Sequence, residues 1–256
     1  MITRTEVLQT PAEFATLHGR DLSQAVCVVF DVFRATSTML EALANGATSI
    51  LPVRDIASAL EARKQDASVL LAGERDGFRI GADRTGGIEF DLGNSPREFT
   101  RDRVAGRKVV MTTSNGTRAL DACRGAAEVL ATSFANLGAT TSWIRGRRLP
   151  HLVLVCAGTL DHASLEDTLG AGALVDRLWE SVRGGWLDDA AQTVREVFRA
   201  HRGDLQALAG SGRNGARLLG LPELADDVPL CLVQDRFPFV ARMGSDGLLR
   251  AERASD

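Results

Sequence analysis

The stretch VCVVFDVFRATSTMLEALAN, residues 26–45, decides how this chain is read. It opens as an apolar run from Val26 to Phe30, stops at Asp31, and resumes with Met39, Leu40 and Leu43 at helical spacing. Between the two lies a polar turn holding Asp31, Arg34, Thr36, Ser37 and Thr38. A buried strand that turns directly into a helix is the unit of a parallel α/β sheet. Ligands bind such sheets where strands end and helices begin. The free N–H groups and partial positive charge of a helix N-terminus suit a phosphate. The turn therefore reads as half of a phosphate-type site.

Two more units repeat that grammar without repeating its sequence. Arg107 to Met111 is a strand that runs into Thr112-Thr113-Ser114-Asn115-Gly116-Thr117, and a helix begins at Ala119-Leu120. His151 to Cys156 is a strand followed by the loop Ala157 to His162. Ser164 then caps a helix reaching Trp179. Right-handed parallel connections put all three loops on one sheet edge. Further strands are expected at Ile2 to Leu8, Ser49 to Val53, Val69 to Ala72 and Glu128 to Ala131. Helices are expected from Asp55 to Gln65 and from Leu137 to Ile144.

The polar stretch Gly73 to Asn94 has neither period, and loops of that length inside a compact domain are usually functional. Ser95, Pro96 and Glu98 after it fit a capping box. Beyond Asp188 the pattern changes to three short helices, and Leu230 to Val233 and Phe239-Val240 read as short strands. The expected architecture is one α/β domain over residues 1–256. Its central sheet is mostly parallel, with a helical insertion at about 186–220 and a helical C-terminal part.

Composition narrows the function. A net charge of −3 over 256 residues gives no general attraction to nucleic acid or membrane. Lys64 and Lys108 are the only lysines, so nearly all positive charge is arginine, the bidentate binder of phosphate and carboxylate. Cys27, Cys123, Cys156 and Cys231 are widely separated, with no C-x-x-C pair, and read as reduced buried thiols. The N-terminus Met1 to Glu6 is no secretory signal, and no apolar run approaches the roughly 20 residues of a membrane span. A cytoplasmic protein is expected.

Asp31 is the leading candidate for chemistry, as metal ligand or nucleophile, although an aspartate there also caps a helix. Arg34 is a candidate phosphate clamp. N-capping explains one hydroxyl of the Thr112–Thr117 turn but not all of them. Glu166 and Asp167 stand in the first turn of a helix, where the dipole alone favours acids. Glu74 follows a strand end. Oxygen ligands in this number, without a His/Cys cluster, suit Mg²⁺ better than Zn²⁺. His162 is the one histidine on a candidate loop, and Cys156 ends a strand beside another. Spacing excludes several phosphate chemistries. No lysine stands in a P-loop, no arginine lies six positions after Cys27 or Cys156, Asp31-Val32-Phe33 lacks the second aspartate of a haloacid-dehalogenase motif, and no dinucleotide fingerprint follows a strand.

Asp31-Val32-Phe33-Arg34-Ala35-Thr36-Ser37-Thr38, Gly73-Glu74-Arg75, Phe90 to Pro96, Thr112 to Thr117, Cys156-Ala157-Gly158 and Leu165-Glu166-Asp167 stand in this order. As an ordered set, from about Val26 to Arg236, they resemble the 2-phosphosulfolactate phosphatase family. The resemblance implies a three-layer α/β/α fold and a Mg²⁺-dependent phosphatase releasing sulfolactate and phosphate, a step in one route to coenzyme M. On that basis Asp31, Glu74 and one of Glu166 or Asp167 are expected to hold the metal. Arg34, Thr36, Ser37, Thr38 and the turn residues Thr112, Thr113, Asn115, Gly116 and Thr117 are expected around the phosphate. Asn94 and Arg236 are expected at the carboxylate or sulfonate end, and Ser95 among the substrate-binding residues. The alternatives are a phosphatase for another small phosphorylated hydroxy acid and a non-catalytic binder of such metabolites. The Gly/Ala-rich helix after Ser164 would permit a homodimer.

Overall fold

A computed structural model describes residues 2–253. The strands are β1 (Arg4–Leu8), β2 (Ala25–Phe30), β3 (Ser49–Pro52), β4 (Leu70–Arg75), β5 (Phe78–Arg79), β6 (Lys108–Thr112), β7 (Glu128–Thr132), β8 (His151–Cys156), β9 (Trp186–Leu187), β10 (Phe239–Met243) and β11 (Leu249–Arg253). They form one sheet in the order β5-β4-β6-β3-β11-β10-β7-β2-β8-β1-β9. Strands β4, β6 and β3 pair in parallel at one end, and β7, β2, β8, β1 and β9 pair in parallel at the other. The antiparallel hairpin β10–β11 joins the two parallel blocks.

Strand β2 is buried along its whole length, as a central parallel strand covered on both faces must be. The connecting helices are α1 (Pro11–Ala15), α2 (Ala35–Ala44), α3 (Ile56–Gln65), α4 (Arg101–Val104), α5 (Gly116–Ala122) and α6 (Leu137–Arg145). They continue with α7 (Leu165–Arg177), α8 (Trp179–Val182), α9 (Asp189–His201), α10 (Leu205–Ser211), α11 (Arg213–Leu219) and α12 (Asp227–Cys231). Alternate residues of the sheet divide between its faces. Cys27, Val29, Met111, Val153 and Val155 pack with Met39 and Leu40 of α2 and Leu120 of α5 on one face. Val28, Phe30, Leu152 and Leu154 pack on the other with Trp143 of α6, Leu169 of α7 and Val194 of α9. Helix α3 covers the outer face at β4 and β6 through Ala59 against Leu71 and Val110. The result is the expected three-layer α/β/α arrangement.

The sheet cannot be flat. Strands β6 and β2 are five places apart in the order, which in a flat sheet is roughly 24 Å. Yet residues just past the ends of both line one cavity. Helix α2 lies inside the bend, with Ala35 to Leu40 all buried. The bend brings the ends of β4 and β6 to face those of β2 and β8.

Three expectations are corrected. Leu230 to Val233 is not a strand; Asp227–Cys231 is helical, with Pro229 tolerated in the first turn. A four-residue apolar run carries no period that separates the two states. The Ser95 capping box does not form. Pro96–Glu98 is a single 3₁₀ turn without a side-chain cap, because Ser95 Oγ donates to Asp227 Oδ1 (2.7 Å) and Glu98 accepts from Gly93 N (2.9 Å). The stretch 73–94 is not wholly irregular, since β5 pairs back on β4. Among the described residues, no helix is long and apolar enough to cross a membrane.

Candidate active site

A cavity of about 420 Å³ opens where β2, β4, β6 and β8 end. Its floor is Asp31, Phe33, Arg34, Glu74, Asn94, Ser114 and Asn115. Its walls are the Asp76-Gly77 turn, the loop Gly158 to Leu160, and Arg213, Asn214, Arg217 and Leu218 of α11. All three strand–loop–helix units thus reach one site. Both ends of the long polar stretch reach it as well, through Glu74 and Asn94.

Asp31 has two tasks. Its Oδ1 accepts from Ala35 N (3.0 Å) in the first turn of α2, and its backbone exchanges hydrogen bonds with Thr36 Oγ1 (2.9 and 3.1 Å). Among the described residues nothing donates to Oδ2, and Asp31 lines the cavity. Burial pushes the Asp31 carboxyl up to about 7; the charges of Glu74 and Glu166 add to the rise, while the Ala35 N–H and Arg34 oppose it.

Glu74 is fixed at both oxygens. Oε1 accepts from Ser114 N and Oε2 from Gly77 N, each at 2.8 Å. The end of β4 is thereby tied to the loop after β6. Asn115 ties that loop to the one after β8, donating from Nδ2 to Ala157 O (3.1 Å) and Leu160 O (3.0 Å).

Arg34 is only 3% exposed. Its Nη1 donates to Asp227 Oδ2 (2.7 Å) and its Nη2 to Gly77 O (2.6 Å). Asp227 is fully buried and also accepts from Ser95 Oγ and Arg97 Nε (2.9 Å), so a helix near the C-terminus orients the arginine of the first turn. A buried guanidinium of this kind requires such a partner.

The hydroxyls have less to do with a ligand than their clustering suggested. Thr36 serves Asp31, Ser37 Oγ donates to Val32 O (2.9 Å), and Thr38 Oγ1 to Asn94 O (2.9 Å). Thr113 and Thr117 cap each other reciprocally at 3.2 Å, and Thr112 Oγ1 accepts from Arg75 Nη2 (3.0 Å). None of these six lines the cavity. They hold the turns; Ser114 and Asn115 face the site. Gly116 does not line it either but is packed against it. A Cβ there would sit 2.4 Å from Asp31 Oδ2.

The paired acids of α7 separate in role. Asp167 accepts one backbone N–H at each oxygen, from Val32 N (2.8 Å) and Gly158 N (3.0 Å), and so braces the loops after β2 and β8. Burial, then the charges of Glu166 and Asp31, push its carboxyl well up. Glu166 Oε1 accepts from Asn214 Nδ2 (3.2 Å), and its buried Oε2 has no partner. Burial raises its carboxyl too. Arg236, expected at the far end of a ligand, does not line the cavity; it is paired with Glu41 (2.9 Å) and stacked on Phe237. Ser95 lines a neighbouring cleft instead. His162 closes a backbone bridge with Thr159, and burial pushes the Cys156 thiol far up, which removes it as a nucleophile.

Among the described residues, no three His, Cys, Asp or Glu side chains converge as a ligand cage. Asp31 and Glu74 at the cavity, with the donor-less acceptor Asn94 Oδ1 also lining it, are the kind of donor set Mg²⁺ would use, since that ion takes one or two carboxylates and keeps the rest of its shell in water and substrate oxygens.

Residues 13–245 match the family model described as 2-phosphosulpholactate phosphatase. The chain is similar to proteins named "Probable 2-phosphosulfolactate phosphatase". The Thermotoga petrophila protein is 38% identical over 213 residues, 83% of this chain and 86% of the relative. The Caldanaerobacter subterraneus protein is 34% identical over 250 residues, 96% and 98% of the two chains. The Gloeobacter violaceus protein is 38% identical over 226 residues, 87% and 89%. With the match spanning nearly the whole chain and every element of the cavity, this protein belongs to the 2-phosphosulpholactate phosphatase family.

Proposed function

We propose that this chain is a Mg²⁺-dependent phosphomonoesterase that hydrolyses 2-phosphosulfolactate to 3-sulfolactate and phosphate, the coenzyme M-type step, in the cytoplasm. One observation carries the reading. A single cavity holds two carboxylates at strand ends, a buried guanidinium, and Asn94, whose buried Oδ1 lacks a donor. Two acids in a site that burial has already made costly for charge call for a cation. The arginine calls for an anion.

Asp31 and Glu74 would hold the ion, with Asn94 Oδ1 as a further acceptor. Bound there, Mg²⁺ would supply charge neutralisation for the phosphoryl oxygens and a template for the attacking oxygen. The protein's own groups do the rest. Asp227 fixes the plane of Arg34, whose remaining N–H donors meet the phosphoryl oxygens. Glu74 is locked by two backbone N–H groups and cannot swing away. The attacking oxygen is either a water or Asp31 Oδ2, the oxygen that the α2 cap leaves free.

The test is phosphate release from 2-phosphosulfolactate and 2-phospholactate with and without Mg²⁺, for the wild type and for Asp31→Ala and Asp31→Asn. Mg²⁺-dependent turnover that drops at least about 100-fold in both variants is expected. Full activity in both variants with Mg²⁺ dependence intact refutes the site. A thermal shift with substrate but no turnover in the wild type makes the chain a binder.

A further inference from the structure

The cavity holds positive charge that phosphoryl transfer does not account for. Three arginines line it: Arg34, Arg213 and Arg217. Arg34 is matched by Asp227 at 2.7 Å. Among the described residues, Arg213 has no carboxylate within 4.0 Å and no hydrogen-bond partner, and Arg217 donates only to the backbone oxygen of Asp76. The one carboxylate of the rim, Asp76, is already paired with Arg84 (2.7 Å). The floor is acidic and the rim is basic.

That rim is held in place. Asn214, between the two arginines, donates from Nδ2 to Phe33 O (2.6 Å) and Glu166 Oε1 (3.2 Å), which pins α11 over the end of β2. Arg217 reaches across to Asp76 O and lies against Gly77 in the turn after β4, so α11 spans the cavity mouth. Arg213 and Arg217 are four residues apart on one helix face, where like charges repel unless an anion lies between them. A cavity of about 420 Å³ leaves room beyond a phosphoryl group and its ion.

We propose that Arg213, assisted by Arg217, is the subsite for a second anion of the substrate, a carboxylate or sulfonate borne on the carbon chain away from the phosphoryl ester. It rests on the phosphatase reading and deepens it by naming the residues that would select, among small phosphate esters, those with a strong acid group at the far end. Arginine suits this better than lysine, because its planar fork meets two oxygens of either group at once. The neutral far end of an alkyl or aryl phosphate leaves that fork unpaired.

The experiment measures kcat/KM of Arg213→Ala, Arg213→Glu and Arg213→Lys, with saturating Mg²⁺, on 2-phosphosulfolactate, 2-phospholactate and p-nitrophenyl phosphate. Arg213 is exposed and without a partner, so the melting temperature serves as a control and should not move. For Arg213→Ala, kcat/KM should fall about 10- to 100-fold on 2-phosphosulfolactate, through KM, and no more than about threefold on p-nitrophenyl phosphate. Arg213→Glu should fall further, and Arg213→Lys should recover part of the loss. A loss confined to 2-phosphosulfolactate assigns the sulfonate to Arg213. A loss shared with 2-phospholactate assigns the carboxylate. Equal losses on all three substrates, or no loss on any, overturn the subsite while leaving the phosphatase reading intact. A wild type that turns over none of the three overturns both.

Discussion

Replacing Gly116 with alanine tests the site through a residue that does not itself line the cavity. A Cβ at position 116 would lie 2.4 Å from Asp31 Oδ2, 3.1 Å from Asp31 Cγ and 2.7 Å from Ala35 Cβ. Ordinary contact begins about 1 Å further out, so the Asp31 carboxylate or the first turn of α2 must move by about that much. Neither can move freely, since Ala35 N holds Asp31 Oδ1 and Thr36 locks the Asp31 backbone. Overpacking of this kind costs about 1–3 kcal/mol of stability. A displacement of about 1 Å at the reacting geometry costs about 100-fold in rate, or near 2.7 kcal/mol of transition-state stabilisation. The assay pairs kcat/KM for phosphate release with the thermal midpoint, against Gly125→Ala, where the added Cβ meets nothing within 4 Å. The expected result is a loss of about two orders of magnitude in Gly116→Ala with the fold retained, and a near-native control. Activity within threefold of wild type in a folded Gly116→Ala protein would show that the position of Asp31 does not matter, and the assignment of Asp31 would fall with it.

Three other outcomes follow from the same contacts. Asp227→Ala leaves Arg34 as a buried, unpaired cation and should cost about 3–5 kcal/mol in chemical denaturation; Asp227→Asn, which keeps the shape, should remain folded but lose substrate affinity. Asp31 keeps its proton below about pH 7, so the Mg²⁺ concentration for half activation should rise as pH falls from 8 to 6, by up to about tenfold per unit; a flat profile removes Asp31 from the ion. Without metal, its raised pKa stabilises the fold fully below 3.8, and that contribution disappears as pH rises through about 7. Burial alone would raise Glu6 on β1, but hydrogen bonds from His151 and Arg20 outweigh it and hold the carboxyl at about 2. That depression contributes stability above pH 4.5 that is lost as pH falls towards 2, and Glu6→Gln should flatten the acid limb of a denaturation curve.

Much of the scaffold was legible in residues 26–45 and their two counterparts. Strand, polar turn and helix differ in period, and Val26 to Phe30 carries no polar residue, so the buried parallel strand and the loop after it could be placed directly. The same reading found Glu74 and Asn94, because a structureless polar stretch of that length in a compact domain calls for a purpose. It overvalued the hydroxyls. Thr36, Thr113 and Thr117 are drawn to strand–helix turns by capping, a local demand that places the same residue types where a ligand would also want them. The resemblance put Arg236 among the substrate-binding residues, whereas in the structure it pairs with Glu41 and does not line the cavity.

Sequence alone determined which segments bury themselves, which loops share an edge, and that Asp31 stands where a strand ends, since all three follow from periodicity and chain direction. Only the tertiary structure decided how that edge closes. The antiparallel hairpin β10–β11 joins two parallel blocks, and the bend around α2 brings Glu74 to Asp31. Helix α12 delivers Asp227 to Arg34 across 193 residues of chain. Helix α11 sets Arg213 over the mouth. These residues sit in short polar segments whose own sequence prefers nothing. Their positions are set by the pairing of distant charges and the burial of distant faces, and neither leaves a period in the chain.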